Sequence, residues 1–217
     1  MTILKFIIVY VVVLALGMGA VLIGIPQTVA LWTFTIIAIV VIVGYMIAMT
    51  GTKNTKLTLF AMKLQKNSPM FIHTLAMKNG DLQDELAAIQ VIEKKVKNED
   101  TVLDYQFVRA LRLNDLAGAK AIISNMKTSP RKRFNIALLE AASKKFGVAR
   151  NYKLDFIWME YYVEAYIANL QGNKEKYTEY MLKTIEETKG LQRVTNEAIY
   201  ERDLREWDAV HDKRKKK

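Results

Sequence analysis

Two long apolar runs, residues 6–25 and 29–49, occupy the start of the chain and are separated by a short break around Pro26. Each run has about the 20 residues that a helix rising about 1.5 Å per residue needs to cross roughly 30 Å of hydrocarbon. Lys5 is the single charged residue among the first 52, so neither run carries a charge that would need a partner in lipid. The pattern predicts a hairpin of two transmembrane helices.

Beyond residue 52 the chain is polar, and its apolar residues recur every three or four positions, the spacing of amphipathic helices. The stripes are Leu82, Leu86, Ile89, Ile92 and Val96; Leu103, Phe107 and Leu111; Leu116, Ala119, Ile122, Ile123 and Met126; Phe134, Leu138, Ala141 and Ala142; and Tyr177, Met181 and Ile185. Short Gly, Asn and Asp turn signals separate them, so neighbouring helices are expected to pack antiparallel. No segment alternates with a period of two for long enough to predict a strand. The predicted fold class is therefore all-α.

The pattern divides the chain into four segments. Residues 1–52 hold the two transmembrane helices, and residues 53–68 form a basic juxtamembrane helix. Residues 69–211 form a helical-repeat domain, and residues 212–217 form a basic tail.

The positive charges set the expected orientation, because Lys and Arg within about 15 to 20 residues of a span resist translocation. Lys5 precedes the first run, whereas the loop around Pro26 has no charge. Four lysines follow the second run: Lys53, Lys56, Lys63 and Lys66. Both termini are therefore expected in the cytoplasm, at a bacterial plasma membrane or, as the alternative, the endoplasmic reticulum. A cleaved signal peptide is a competing interpretation, but the first run continues eight residues past Gly17, which is too long for a signal-peptide core.

The composition limits the chemistry that the soluble segment can perform. This segment holds 31 of the 32 basic residues and all 22 acidic ones, and the positive excess favours an anionic membrane leaflet as a partner. The lack of cysteine excludes disulfides, thiolate metal sites and cysteine nucleophiles. Glu160 and Glu164 lie one helical turn apart, but no metal-binding motif or second carboxylate pair accompanies them, and His73 is expected to be a packing or surface residue. We therefore expect no catalytic residue, no metal ion, no cofactor and no enzymatic activity.

Two basic clusters predict contacts with anionic lipid. The first is the lysine-rich segment after the second run, which has apolar residues among its lysines and suits a helix at the headgroup boundary; a simple continuation of the span is the alternative. The second cluster is the C-terminus: Lys213, Arg214, Lys215, Lys216 and Lys217. A solvated, disordered tail is the alternative there. Aromatic residues are not interleaved with these clusters as an RNA-stacking platform would require, which argues against a nucleic-acid partner.

Turn signals in the soluble segment recur with a regular period. Asp81 and Asp115 lie 34 residues apart, and each separates two stripes. Around them lie two pairs of predicted helices: residues 71–79 with 82–97, and residues 103–113 with 116–126. These pairs resemble the tetratricopeptide repeat, a helix–turn–helix unit of about 34 residues.

Single residues support this resemblance or depart from it. Ala119 lies where the second helix of the family has a small residue, and Pro130 lies near the closing proline of the family. Glu85 and Tyr177 stand at that small position in two other units. The resemblance implies a curved, helix-lined surface that binds a peptide or a protein. An irregular helical bundle is the alternative.

The predicted helix at residues 154–170 is apolar on nearly all sides and rich in aromatic side chains. Because Tyr and Trp are frequent anchors of protein interfaces, four residues are candidates for partner binding: Trp158, Tyr161, Tyr162 and Tyr166. A central position in the core is the alternative for this helix. The chain as a whole is expected to be a membrane-anchored scaffold or adaptor that binds a protein partner at the cytoplasmic surface. The alternative function is an accessory or assembly subunit that contacts a membrane transporter, channel or enzyme complex through its transmembrane helices.

Overall fold

The structure, a computed structural model, describes residues 11–12, 15–17, 19 and 21–215, with side chains as far as residue 209. These residues are mainly helical, as predicted, and contain no strand. Much of the first predicted transmembrane run, together with Lys5, lies outside the described residues. The same holds for Lys216 and Lys217, and for the side chains of three more basic residues: Lys213, Arg214 and Lys215.

Between residues 27 and 215 the structure has eleven α-helices. They are α1 (Gln27–Met46), α2 (Thr55–Lys63), α3 (Pro69–Asn79), α4 (Leu82–Lys95), α5 (Glu99–Arg112), α6 (Leu116–Asn125), α7 (Pro130–Ala142), α8 (Phe146–Arg150), α9 (Ile157–Leu170), α10 (Lys174–Glu187) and α11 (Gly190–Lys215). A π-helical turn, Ile47–Gly51, continues α1.

Polar caps stand at the turn signals that the sequence contains. The side chain of Asp81 starts α4 by accepting hydrogen bonds from the backbone N–H groups of Gln83 and Asp84. Asp115 and Asn173 start α6 and α10 in the same way. Such caps satisfy backbone donors that the first helical turn leaves without partners, so they fix where each helix begins. Several bounds differ from the predicted ones: α4 ends at Lys95 rather than at residue 97, α5 begins at Glu99 rather than at residue 103, and α9 begins at Ile157 rather than at residue 154.

One helical segment, Gln27–Gly51, is long and apolar enough to cross a membrane, with a mean hydropathy of 2.4. It contains the second predicted run, residues 29–49. Within it only Ala30 and Ala48 are buried, whereas a core helix of a soluble protein buries a whole face. The described residues between 11 and 22 are also helical. Gly17, in that helical stretch, lies against the ring of Phe34 in α1, where an added Cβ would be 3.2 Å from the ring.

The helices of the soluble segment pack mainly on their neighbours along the chain: α3 on α4, α5 on α6, α7 on α8 and α9 on α10. The largest core cluster extends from α5 to α9 and is centred on buried residues such as Phe107, Phe134 and Met159. A second cluster joins α9 to α10 and α11 around Ala168, Tyr177 and Met181. This arrangement leaves one side of α9 in the core and the other side facing α10.

The last helix, α11, closes the domain. It packs against its neighbour α10, and also against α2, α3 and the π-helical turn. The backbone N–H of Gly190 donates a hydrogen bond to the carbonyl of Thr52 at 2.7 Å, and Val194 packs with Met62 and Phe71. The last helix thus connects α10 to α2 and α3, the first helices of the domain. It also extends through Lys215, so residues 212–215 of the predicted tail are helical.

Candidate functional site

A buried group of charged side chains links α11 to helices from different parts of the domain. Arg202 of α11 donates to Glu85 of α4 at 2.9 Å and to the neighbouring Asp203 at 2.7 Å. Arg112 of α5 donates to the second oxygen of Glu85 at 3.1 Å and also pairs with Glu206 of α11. The Glu85 side chain is 1% exposed, and two guanidinium groups compensate its charge. A buried carboxylate without such partners would be strongly unfavourable.

The two residues that depart from the tetratricopeptide resemblance, Glu85 and Tyr177, both contact this part of α11. Glu85 binds Arg202, and the hydroxyl of Tyr177 donates a 2.7 Å hydrogen bond to Asp203. Both side chains are buried. A large polar side chain at each of these positions is explained by its contact with α11, because a small side chain would not reach that helix.

The electrostatics of this group raise the pKa of two of its members. Burial opposes the charge of Arg202, but the carboxylates of Asp203 and Glu85 outweigh that effect and raise its pKa. Burial and the nearby Asp203 carboxylate raise the pKa of Tyr177, so its hydroxyl remains a donor. Arg202 and Tyr177 therefore both act as hydrogen-bond donors at neutral pH.

His73 of α3 lies beside this group and is buried, as a packing residue would be. Its Nε2 atom is 3.9 Å from an oxygen of Glu85 and has no hydrogen-bond partner, and its ring packs edge-on against Tyr105 with centroids 5.0 Å apart. Burial and the nearby Arg202 charge lower the pKa of His73 to about 4. The imidazole is therefore neutral near pH 7.

An open cleft lies on the opposite side of α9, between this helix, α8, α10 and the connection after α8. Its volume is about 740 Å³, and its lining includes Arg150, Glu160, Tyr161, Glu164, Lys176 and Tyr180. Arg150 and Glu164 form an ion pair at 2.7 Å across one wall. The rings of Tyr161 and Tyr180 lie 6.5 Å apart, and the Lys183 ammonium is 5.1 Å from the Tyr180 ring centroid. The cleft thus offers aromatic faces with charges of both signs beside them.

The structure separates the four aromatic residues that the sequence marks as candidates. Tyr161 lines the cleft. Trp158 and Tyr162 pack edge-on against Phe134 with centroids 5.5 Å apart, and Tyr166 packs against the same core cluster. All four keep part of their surface exposed. Three of them therefore contribute mainly to the core, and one faces open space.

Sequence reasoning missed two of the residues that shape the cleft. Tyr180 lies on a different helix from the aromatic run, and Arg150 pairs with Glu164, for which the sequence analysis named no partner. The spacing of Tyr177 and Tyr180 could have identified Tyr180. Residues three positions apart lie on neighbouring parts of a helix surface, so Tyr180 is expected near the apolar stripe that contains Tyr177.

The structure describes only some of the basic residues that the sequence assigns to the membrane surface. Lys53, Lys56, Lys63 and Lys66 are exposed on or beside α2. The C-terminal cluster has no described side chains. Among the residues that the structure describes, no three His, Asp or Glu side chains lie close enough together to hold a metal ion.

Comparison with known proteins adds no relationship to this geometry. No protein-family model matches the chain, and no curated protein or solved structure is significantly similar to it.

Proposed function

We propose that this protein is a membrane-anchored adaptor whose helical domain binds a protein partner at the cytoplasmic surface. The observation that carries the proposal is the direct connection of an exposed, membrane-length helix to a domain of packed helical hairpins. Three residues, 52–54, separate the π-helical turn from α2. Such an anchor raises the local concentration of a bound partner at the membrane.

The partner site in this proposal is the cleft between α8, α9 and α10. Tyr161 and Tyr180 supply rigid aromatic surface, and Glu160 and Lys176 supply charges of opposite sign at its edge. Aromatic residues in a concave site with a polar rim are the usual anchors of protein interfaces. The side of the domain that α11 covers is less suitable, because Arg202 and Asp203 of that helix already bind Glu85 and Tyr177 there.

The cleft assignment is tested with the full-length protein in detergent or nanodiscs. We expect the double variant Tyr161→Ala and Tyr180→Ala to lose the partner that the parent protein captures by affinity purification. Leu182→Ala is the matched control, because Leu182 is 51% exposed on the same helix but does not line the cleft. Circular dichroism and a thermal melt establish that both variants are folded. Unchanged partner capture by the folded double variant would contradict the cleft assignment.

The second candidate function is an accessory or assembly subunit that binds a membrane complex through its transmembrane helices. The exposed surface of α1 favours it: an added Cβ on Gly44 would have nothing within 4 Å, so a neighbouring helix could approach closely there. Replacing residues 1–51 with an unrelated two-span hairpin distinguishes the two functions. Partners retained after the exchange support the adaptor, and partners lost with the native hairpin support the subunit. The repeat type of the domain stays a prediction under either function.

A further inference from the structure

Three large apolar side chains are exposed on one face of α2 and its C-cap. Leu57 is 43% exposed, Phe60 62% and Leu64 54%. Their spacing of three and four residues places them on the same side of the helix. The opposite side is buried in the domain, where Met62 packs with Phe71 and Val194. One side of α2 is therefore packed against the domain, and the other side exposes an apolar stripe.

Two hydrogen bonds fix the depth of this stripe relative to the membrane helix. The Thr58 hydroxyl donates to the carbonyl of Ala48 at 2.8 Å, and the Gln65 side-chain amide donates to the Tyr45 hydroxyl at 2.6 Å. The later residue, Gln65, thus contacts the earlier position, Tyr45, so the segment from Thr58 to Gln65 runs antiparallel to the segment from Tyr45 to Ala48. The helix folds back beside the last turn of the segment that can cross a membrane. Its exposed stripe therefore lies at the level of the end of that segment.

The charges around the stripe match an anionic surface. Lys56 and Lys63 are exposed and lie along one edge of the stripe, since they are four and three residues from Phe60. The first acidic residue of the chain is Asp81, so residues 1–80 carry only positive charges. An apolar face with lysines at its edge, held at the end of a transmembrane helix, is the pattern of a helix that lies in the membrane interface.

We infer that α2 is an interfacial helix that inserts Leu57, Phe60 and Leu64 into the boundary between headgroups and acyl chains of an anionic leaflet. Lys56 and Lys63 bind lipid phosphate groups at its edge. This inference rests on the membrane anchoring in the proposed function. Together with the hydrogen bonds to Tyr45 and Ala48, the lipid contact fixes the orientation of the helical domain relative to the bilayer.

The chain has no cysteine, so single cysteines can be spin-labelled in the full-length protein without background. We reconstitute Leu57→Cys, Phe60→Cys and Leu64→Cys in vesicles of phosphatidylcholine and phosphatidylglycerol, and measure collision with oxygen and with a water-soluble nickel chelate. We expect a several-fold higher oxygen-to-nickel ratio at these positions than at Leu113→Cys and Leu182→Cys, which are 49% and 51% exposed in the parent chain. Ratios equal to those of the two controls would overturn the inference.

Val40→Cys separates failure of the inference from failure of the proposed anchoring, because Val40 is 64% exposed in the middle of α1. A lipid signal at position 40 with an aqueous signal at position 60 rejects the interfacial helix alone, and an aqueous signal at both positions rejects the anchor. The substitutions Lys56→Gln and Lys63→Gln should lower the ratio at position 60, as should vesicles of phosphatidylcholine alone. Spin–spin broadening that disappears on dilution with unlabelled protein would assign the stripe to a contact between copies and overturn the lipid assignment.

Discussion

Glu85 is a buried carboxylate that accepts hydrogen bonds from the guanidinium groups of Arg112 and Arg202. Removing one partner of such a group leaves uncompensated charge in the interior, which typically costs about 3–5 kcal/mol. We expect Glu85→Gln to destabilise the full-length protein by an amount of this order, measured by denaturant unfolding in detergent. Glu179→Gln is the control, because Glu179 pairs with Lys183 on the exposed face of α10 and should change stability little. If both substitutions lowered the free energy of unfolding equally, the buried ion pairs of Glu85 would not contribute more to stability than an exposed pair does.

His73 is expected to make stability depend on pH. Its pKa in the fold, about 4, lies below the ordinary value of 6.5, because it is buried and faces the positive Arg202. Between pH 6.5 and about pH 4 the His73 side chain binds a proton in the unfolded chain but not in the folded one. The free energy of unfolding therefore falls as the pH drops through this range. The full effect is about 3 kcal/mol at about 1.4 kcal/mol per unit of pKa shift.

The measurement compares the parent protein with His73→Phe, whose ring can still pack against Tyr105. Unfolding free energies of both proteins are determined at intervals from pH 7 to pH 4. The difference between the two curves isolates His73 from carboxyl groups such as Asp104, whose pKa is raised chiefly by burial. Parallel curves over the whole range would show that His73 is not protonated differently in the folded and unfolded states.

The sequence identified Glu85 and Tyr177 as unusual but could not explain them. Both differ from the small residue that the tetratricopeptide resemblance predicts at their positions, and this difference is visible without a structure. Their partners are not visible, since Arg202 lies 117 positions after Glu85 and Asp203 lies 26 positions after Tyr177. Hydrophobic periodicity reports which side of a helix is buried and says nothing about which distant ion pairs form.

At the scale of helices, the stripes and the turn signals predicted the starts of α4 and α6, which Asp81 and Asp115 cap. They placed the start of α5 four residues late, because its cap Asn98 lies before the first residue of the apolar stripe, Leu103. The last helix was not predicted. Much of α11 contacts the domain through charged groups such as Arg202, Arg205 and Glu206. These residues look solvated in the sequence, so the segment has no clear apolar stripe, although its 26 residues join both ends of the domain.

Gly190 is expected to be essential for the position of α11. It has a φ of +53°, and an added Cβ would lie 2.0 Å from the carbonyl oxygen of Met49 in the π-helical turn. Gly190→Ala should therefore separate α11 from the membrane helix and speed hydrogen exchange in residues 47–54 and 190–196. The unfavourable backbone conformation alone costs about 1 kcal/mol or more. The steric conflict adds to this cost.

Gly147→Ala is the matched control for this substitution. Gly147 is in α8, and an added Cβ there would meet nothing within 4 Å. Alanine in a helix is more favourable than glycine by roughly 0.5–1 kcal/mol, so the control should be neutral or slightly stabilising. A Gly190→Ala protein with the stability and hydrogen exchange of the parent would refute the close contact between α11 and the π-helical turn.

At the scale of the whole molecule, the helical segment that is long and apolar enough to cross a membrane shares one structural junction with the helices that follow it. The π-helical turn contacts α2 and α11, and α11 in turn contacts α3 and α10. The cleft on the far side of α9 is lined by α8, α9, α10 and the connection after α8, so it remains open while α11 covers the other side.

The orientation of the molecule across the membrane is the last prediction. Because the lysines after α1 resist translocation and the residues around Pro26 are uncharged, we expect only the short connection at Pro26 to lie outside the cytoplasm. The exposed positions Gln27 and Lys97 test this in the cysteine-free chain. A membrane-impermeant maleimide applied to intact cells should label Gln27→Cys and should label Lys97→Cys only after permeabilisation. Labelling of Lys97→Cys in intact cells would place the helical domain outside the cytoplasm, and labelling of neither position would argue against a two-span hairpin.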